Sequence, residues 1–185
     1  MADLVMVKVA LDLPVHRLTE FRVAPLSRHL QTLRSLGASE DGDGVEDALG
    51  NAGLSMPDPT VDDLLAHLSQ QAALGEQFME VSMDAASGRI GLRGGLDSWH
   101  ALNLYRAGLF EVAAAAFAAG ARGHVSLLGE LEGEIVLAWI DVDEQGLHYE
   151  TPDPQNTPEP IWQERLGGVE GLEAAWQEWR RGHGG

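Results

Sequence analysis

Residues 125–150, VSLLGELEGEIVLAWIDVDEQGLHYE, decide the fold of this 185-residue chain. Three apolar runs are separated by two short polar connections, EGE at 132–134 and DEQG at 143–146, and this pattern predicts three strands. The middle run, IVLAWI at 135–140, is continuously apolar, which is typical of a central strand covered on both faces. Because tight turns join antiparallel neighbours, the stretch predicts a three-strand antiparallel meander.

Two further stretches extend the predicted sheet. Residues 4–13, LVMVKVALDL, are rich in Val and Leu and stop at Pro14, as a strand does. Residues 77–95, QFMEVSMDAASGRIGLRGG, alternate apolar and polar side chains on either side of an AASG connection, which is the pattern of a β-hairpin. The sequence therefore predicts an antiparallel sheet built from the hairpin and the meander, with the N-terminal strand as a candidate member.

The segments between these strands predict helices. Leucines recur at helical spacing over residues 25–36, and a long alanine-rich helix is predicted over residues 97–119. Between them, residues 61–74 follow Thr60, a typical N-cap, and Asp63 gives this helix a capping-box start. Helices between groups of antiparallel strands indicate an α+β fold, with the helices packed mainly on one face of the sheet.

The predicted domain organisation has three parts. Residues 1–150 form a single globular α+β domain. Residues 151–160, TPDPQNTPEP, hold four of the eight prolines of the chain and predict an extended connector. Residues 161–185 then form a C-terminal helical segment, which packs on the domain or on a partner.

The composition excludes several functions. The formal net charge of −17, from 29 acidic and 12 basic residues, repels phosphate backbones, so we expect no direct nucleic-acid binding. The absence of cysteine excludes disulfides, zinc-thiolate sites and cysteine nucleophiles. No run approaches the roughly 20 apolar residues that span a bilayer, and the start lacks the positive charge of a signal peptide. We expect a soluble, cytoplasmic protein without membrane contact, and the abundance of Ala, Gly, Leu and Arg beside one lysine is typical of a bacterial gene.

The most acidic stretch is GASEDGDGVEDALGN, residues 37–51. If Asp41 is the first position of an EF-hand loop, then Val45, Glu46 and Ala52 stand where an oxygen ligand, a glycine and a glutamate are required, so the calcium motif fails. The stretch is either a solvated connection or a contact for a basic partner. Its acidic side chains are Glu40, Asp41, Asp43, Glu46 and Asp47.

Metal-ligand patterns are weak throughout the sequence. No two histidines lie one helical turn or one strand step apart, and no HExxH pair exists. His148 and Glu150 project from the same side of a strand, as two ligands of a metal site would. However, Leu147 and Tyr149 alternate with them as the natural core face, which leaves His148 and Glu150 toward solvent.

Patterns for nucleophilic catalysis are equally weak. Asp97, Ser98 and His100 stand close together at a predicted helix start, where Asp and Ser are the residues that cap a helix. The sequence therefore predicts no catalytic residue, no metal ligand and no cofactor site. An enzyme site assembled from distant residues stays open, and its first candidates are His67, His100, His124 and His148.

These observations favour a non-enzymatic protein-binding module, such as an adaptor, a chaperone-like protein or an immunity-type inhibitor. We expect a protein partner of basic character, with a homodimer as an alternative, since a helix after a proline-rich connector can dock on a second copy of the chain. The remaining alternatives are an enzyme and a DNA mimic, whose acidic residues would line an elongated face. The predicted partner-binding residues are Glu40, Asp41, Asp43, Glu46, Asp47, Trp162, Trp176 and Trp179.

Overall fold

The computed structural model describes residues 4–26, 58–73, 78–96, 111–131, 134–153 and 155–158, together with Ile161 and Arg181. These residues form an antiparallel sheet of six strands, with helical segments between the groups of strands. The predicted α+β class is therefore confirmed. The predicted C-terminal helix lies outside the described residues, apart from its two positions named above, and the packing of helices mainly on one face stays a prediction.

The six strands are β1 (Leu4–Asp12), β2 (Phe78–Asp84), β3 (Arg89–Leu96), β4 (Arg122–Leu131), β5 (Glu134–Val142) and β6 (Leu147–Glu150). Their order in the sheet is β2-β3-β1-β4-β5-β6, and all neighbouring pairs are antiparallel. The hairpin β2–β3 and the meander β4–β5–β6 are both confirmed. The N-terminal strand β1 lies between them, so it joins the two groups into one sheet.

The described helical segments are a 3₁₀ turn (Val15–Arg17), α1 (Leu18–Arg22), α2 (Val61–Ala73) and the end of a longer predicted helix, residues 111–118, which we name α3. A helix was predicted from residue 25, but Pro25 instead forms an isolated antiparallel bridge with Thr60. Residues 27–36 of that prediction lie outside the described residues. The short helix α1 has no counterpart in the predictions.

The start of α2 is the capping box that its sequence predicts. The hydroxyl of Thr60 accepts a hydrogen bond from the backbone N–H of Asp63 at 3.3 Å. In return, the carboxylate of Asp63 accepts the backbone N–H of Thr60 at 2.8 Å and its hydroxyl at 2.7 Å. Two donors that a helix start leaves without intrahelical partners are satisfied in this way.

The hydrophobic core lies against one face of the sheet. Val7, Val9 and Leu11 alternate along β1 and are buried, and their neighbours across the strands are also buried, apart from the half-buried Gly123. Alternation in a strand places every second side chain on the same face. The core cluster also includes residues of all three helices, among them Phe21 of α1, Leu64 and Leu68 of α2, and Ala113 and Ala116 of α3.

The opposite face of the sheet, which we call the outer face, carries the other alternate positions. On β1 these positions are Met6, Lys8, Ala10 and Asp12. At the Met6 end the outer face is also buried, through four apolar side chains that are between 2% and 7% exposed: Met6, Leu128, Leu137 and Trp139. Residues 137–140 of β5 are consecutively buried, so the prediction that the IVLAWI run is covered on both faces is confirmed for this part of it.

Candidate functional site

All residues that the sequence predicts as partner-binding lie outside the described residues. This applies to the acidic stretch 37–51 and to the three C-terminal tryptophans, and it also applies to the helix start at 97–100. Their roles stay predictions. The strongest concentration of polar side chains within the described ranges is on the outer face of the sheet. It is organised in rows, because neighbouring strands place directly paired residues on the same face.

The first row, which we call the Lys8 row, crosses all six strands. In the order of the sheet it consists of Glu80, Arg93, Lys8, Ser126, Trp139 and Glu150. At the β2 edge, the Nε of Arg93 donates a hydrogen bond to the carboxylate of Glu80. This hydrogen bond and the negative charge of Glu80 raise the pKa of Arg93 above its usual value.

The opposite end of the Lys8 row joins a buried ring to an exposed carboxylate. The indole Nε1 of Trp139 donates a hydrogen bond to Oε2 of Glu150 at 2.8 Å. Trp139 is 4% exposed, whereas Glu150 on the edge strand is exposed. Glu150 therefore satisfies the only donor of a large buried side chain.

The second row lies two residues further along the strands, on the same face, and contains two histidines with one residue between them. His124 of β4, Asp141 of β5 and His148 of β6 are direct neighbours. His148 and Glu150 face solvent and Leu147 is buried, which confirms the predicted sides of β6. Sequence reasoning named both histidines but missed Asp141, since only the strand register places it between them.

The chemistry available to this histidine row is limited by its own contacts. The Nε2 of His148 lies 3.3 Å from Oδ1 of Asp143. Within the ranges that the structure describes, no group of three His, Asp or Glu side chains is placed to hold a metal ion. Of the other histidine candidates, His67 is half-buried on α2 and His100 lies outside the described residues.

The third row is the most exposed and carries charges of alternating sign. It consists of Asp84, Arg89, Asp12 and Arg122 on β2, β3, β1 and β4. Arg89 contacts Asp12 at 3.2 Å, and Arg122 contacts Glu144, which follows β5, at 2.6 Å. Exposed pairs of this kind contribute only about 0–1 kcal/mol of stability each. They fix the positions of charges more than they stabilise the fold.

Two exposed turns add carboxylates with lowered pKa values at the edge of the outer face. The hydroxyl of Ser87 and then the backbone N–H of Ala86 hold the pKa of Asp84 below its usual value. In the turn between β5 and β6, the backbone N–H of Gln145 is the main cause of the lowered pKa of Asp143. Both carboxylates are therefore ionised at neutral pH.

A shallow groove of about 180 Å³ lies between the end of α1 and α3. Its lining is apolar except for Glu20, and includes Phe21, Val23, Pro25 and Ala115. It offers neither an acid–base pair nor an anion site, so it supports no specific chemistry. Among the described residues, no helix is long and apolar enough to cross a membrane.

No protein-family model matches this chain, and no curated protein and no solved structure is significantly similar to it. The outer face is therefore the candidate functional surface. The basic side chains of this face lie on the three central strands, as Lys8, Arg89, Arg93 and Arg122. Of its acidic side chains, Asp12 lies among the basic ones on β1, and the others lie on the strands toward the two edges, as Glu80, Asp84, Asp141 and Glu150.

Proposed function

We propose that this protein is a non-enzymatic protein-binding module that recognises its partner through the outer face of its sheet. The observation that carries the proposal is the charge pattern of that face, a basic centre between two acidic edges, built on a six-stranded sheet. Charges in fixed positions favour a partner with the complementary pattern and disfavour other partners. The face of a six-stranded sheet suits another protein surface better than it suits a large organic ligand, which usually binds in a concave pocket.

The size of the face indicates how much of an interface it supplies. Five spacings of about 4.8 Å between strands make it about 24 Å wide, and three rows cover roughly 14 Å along the strands. The resulting patch is at most roughly 340 Å², since Ser126 and Trp139 within it are buried, and this is less than half of the about 800 Å² that each partner buries in a standard interface. The outer face alone therefore suits a transient complex, and a stable one needs further contacts.

We assign these further contacts to the segments that the sequence predicts as partner-binding. The acidic stretch 37–51 would attract a basic region of the partner, in keeping with the net charge of −17. The tryptophans of the predicted C-terminal helix would add the apolar area that a charged sheet face lacks. A partner that is basic around an acidic centre would complement both the sheet and the acidic stretch.

A swap of one ion pair tests the proposal without changing the net charge. Glu80→Arg combined with Arg93→Glu moves a negative charge into the basic centre and a positive charge to the acidic edge, and the pair is exposed enough to leave the fold intact. The matched control is Asp62→Arg combined with Arg22→Asp, which inverts a similar exposed pair between α1 and α2. All three proteins are used to capture partners from bacterial cytoplasmic lysate at low salt and at 1 M salt, where the Debye length falls to about 3 Å.

We expect wild type and the control to retain the same partner at low salt and to release it at high salt. The outer-face swap should retain much less of it, because like charges then oppose each other across the interface. The proposal is contradicted if the outer-face swap retains the partner as well as wild type does. It is also contradicted if no protein is retained by wild type at low salt.

A further inference from the structure

The centre of the Lys8 row holds the only lysine of the chain. Lys8 is half-buried on β1, and its ammonium group has no hydrogen bond or ion pair with any residue of the described ranges. This is unexpected in a chain with 29 acidic residues. The arginines that share the described ranges with Lys8 and pair with acidic side chains are Arg17, Arg22, Arg89, Arg93 and Arg122.

Ser126, the neighbour of Lys8 on β4, is fully buried. Its Oγ has no hydrogen-bond partner within the part of the chain that the structure describes. A buried hydroxyl without a partner lowers the stability of a fold, because it has lost its hydrogen bonds to water. An alanine would fill the same strand position without this cost, so the hydroxyl needs another explanation.

Arg93, the neighbour of Lys8 on β3, has N–H donors that its ion pair with Glu80 does not use. Its Nε–H is used by Glu80, and within the described ranges its two terminal amino groups have no hydrogen-bond partner. Arginine offers five N–H donors in a planar fork that fits the oxygens of carboxylates and phosphates. Glu80 therefore positions the guanidinium and leaves its terminal donors available.

The three side chains form a short track, by which we mean three consecutive positions of the Lys8 row that are exposed at the Arg93 end and buried at the Ser126 end. Side chains directly opposite each other in neighbouring strands have Cβ atoms about 4.5–5.5 Å apart, and the long Lys and Arg side chains span this distance. Exposure falls along the track, from 58% for the Arg93 side chain through the half-buried Lys8 to the fully buried Ser126. Beside the track lie Gly91 and Ala10, and the hydroxyl of Ser82 covers Gly91 and donates a hydrogen bond to its carbonyl at 3.3 Å.

We propose that Arg93, Lys8 and Ser126 form a binding site for a small oxyanion, namely a carboxylate or a phosphate. The guanidinium and the ammonium supply the positive charge, and the hydroxyl donates a hydrogen bond to one ligand oxygen. This bond gives the buried Oγ the partner that it lacks within the described chain. Binding of the oxyanion does not require the proposed protein partner. It can therefore be measured on the purified chain alone.

The test measures the binding of inorganic phosphate and of succinate by calorimetry and by thermal unfolding, with sodium chloride added to keep the ionic strength constant. The variants are Lys8→Met, which keeps the length of the side chain, and Ser126→Ala. The matched control is Arg22→Met, which removes an exposed cation that lies on α1 and not on the outer face. Constant ionic strength separates specific binding from general screening.

We expect wild type and Arg22→Met to bind at least one of the two anions with equal affinity. Lys8→Met should bind it at least about 10-fold more weakly, since one charged hydrogen bond is lost. Ser126→Ala should unfold at a higher temperature than wild type without ligand, and it should gain less from the anion. A response to one anion alone identifies the ligand class within the proposal.

Three results would overturn the proposal. The first is that neither phosphate nor succinate binds wild type at up to about 10 mM, which is weaker than the useful range for a specific site. The second is equal affinity in wild type and Lys8→Met. The third is equal affinity in wild type and Ser126→Ala, which would show that the buried hydroxyl does not contact the ligand.

Discussion

Thr60 and Asp63 hydrogen-bond to each other in both directions at the start of α2. Thr60→Ala should therefore lower the free energy of unfolding by about 1 kcal/mol, because the N–H of Asp63 loses its acceptor. Thr60→Ser keeps the hydroxyl and should restore most of the loss. Urea unfolding of the three proteins checks this, and equal midpoints for Ala and Ser would show that the cap contributes nothing.

The same carboxylate makes stability depend on pH in the acid range. Hydrogen bonds from Thr60 lower the pKa of Asp63 in the folded protein, so its contribution is fully present above the unfolded pKa of about 3.9 and is lost as the pH falls through the folded pKa. Asp84 and Asp143 act in the same direction. Unfolding free energy should therefore fall with pH below about 4.

The control for this pH dependence is Asp63→Asn, which removes one of the three carboxylates whose pKa is lowered in the folded protein. Its curve of stability against pH should be less steep below about pH 4 than that of wild type, while the two curves should run parallel at neutral pH. Equal slopes in the acid range would mean that Asp63 titrates alike in the folded and unfolded chains.

Gly88, in the turn between β2 and β3, has a φ of 75° and donates its backbone N–H to Asp84. A Cβ at this position would lie 2.0 Å from the carbonyl oxygen of Leu13, so Gly88→Ala meets both backbone strain and a clash. Gly120 has a similar φ of 77°, but the nearest atom to its Cβ position is 3.8 Å away. Gly120→Ala therefore isolates the cost of the backbone conformation.

We expect Gly120→Ala to cost about 1–2 kcal/mol of stability and Gly88→Ala to cost clearly more, since the carbonyl of Leu13 cannot move without disturbing its neighbours. Thermal and urea unfolding measure the difference. If the two variants are equally stable, the turn at Gly88 relaxes freely and the hairpin is not held tightly against β1.

Glu150 holds the indole N–H of buried Trp139, although it stands on the short edge strand. Glu150→Ala should cost about 1–2 kcal/mol of stability, because a buried donor loses an acceptor, and Glu150→Gln should cost less because it keeps an acceptor oxygen. Glu144→Ala removes an exposed ion pair instead and should change stability by less than about 1 kcal/mol. Similar losses for Glu150→Ala and Glu144→Ala in chemical unfolding would contradict this account.

The hairpin and the meander were predictable from the sequence because their signals are local. Apolar alternation and turn residues occur within short windows, and the capping box at Thr60 spans only four residues. The bridge between Pro25 and Thr60 could not be predicted, since it pairs positions that are far apart in the chain. The five-residue helix α1 is too short to show a clear helical period.

The candidate site could not be predicted because it depends on the order of the strands. In the sequence, Lys8 is a single basic residue within an apolar run, and Ser126 is a small polar residue in another. Only the placement of β1 between β3 and β4 makes them neighbours of Arg93 and of each other. The one local signal was the position of Lys8 among alternating apolar residues, which puts it on the face opposite the core.

The central place of β1 also has a consequence for the order of events during synthesis. Lys8 pairs with residues 93 and 126, so the ribosome completes the first strand long before either of its neighbours exists. Val7, Val9 and Leu11 therefore have no β4 neighbours until more than half of the 185 residues have been made. Such long-range pairing slows folding and exposes apolar strands to aggregation. Residues 4–12 of the growing chain are therefore exposed to aggregation until residues 89–96 and 122–130 have been made.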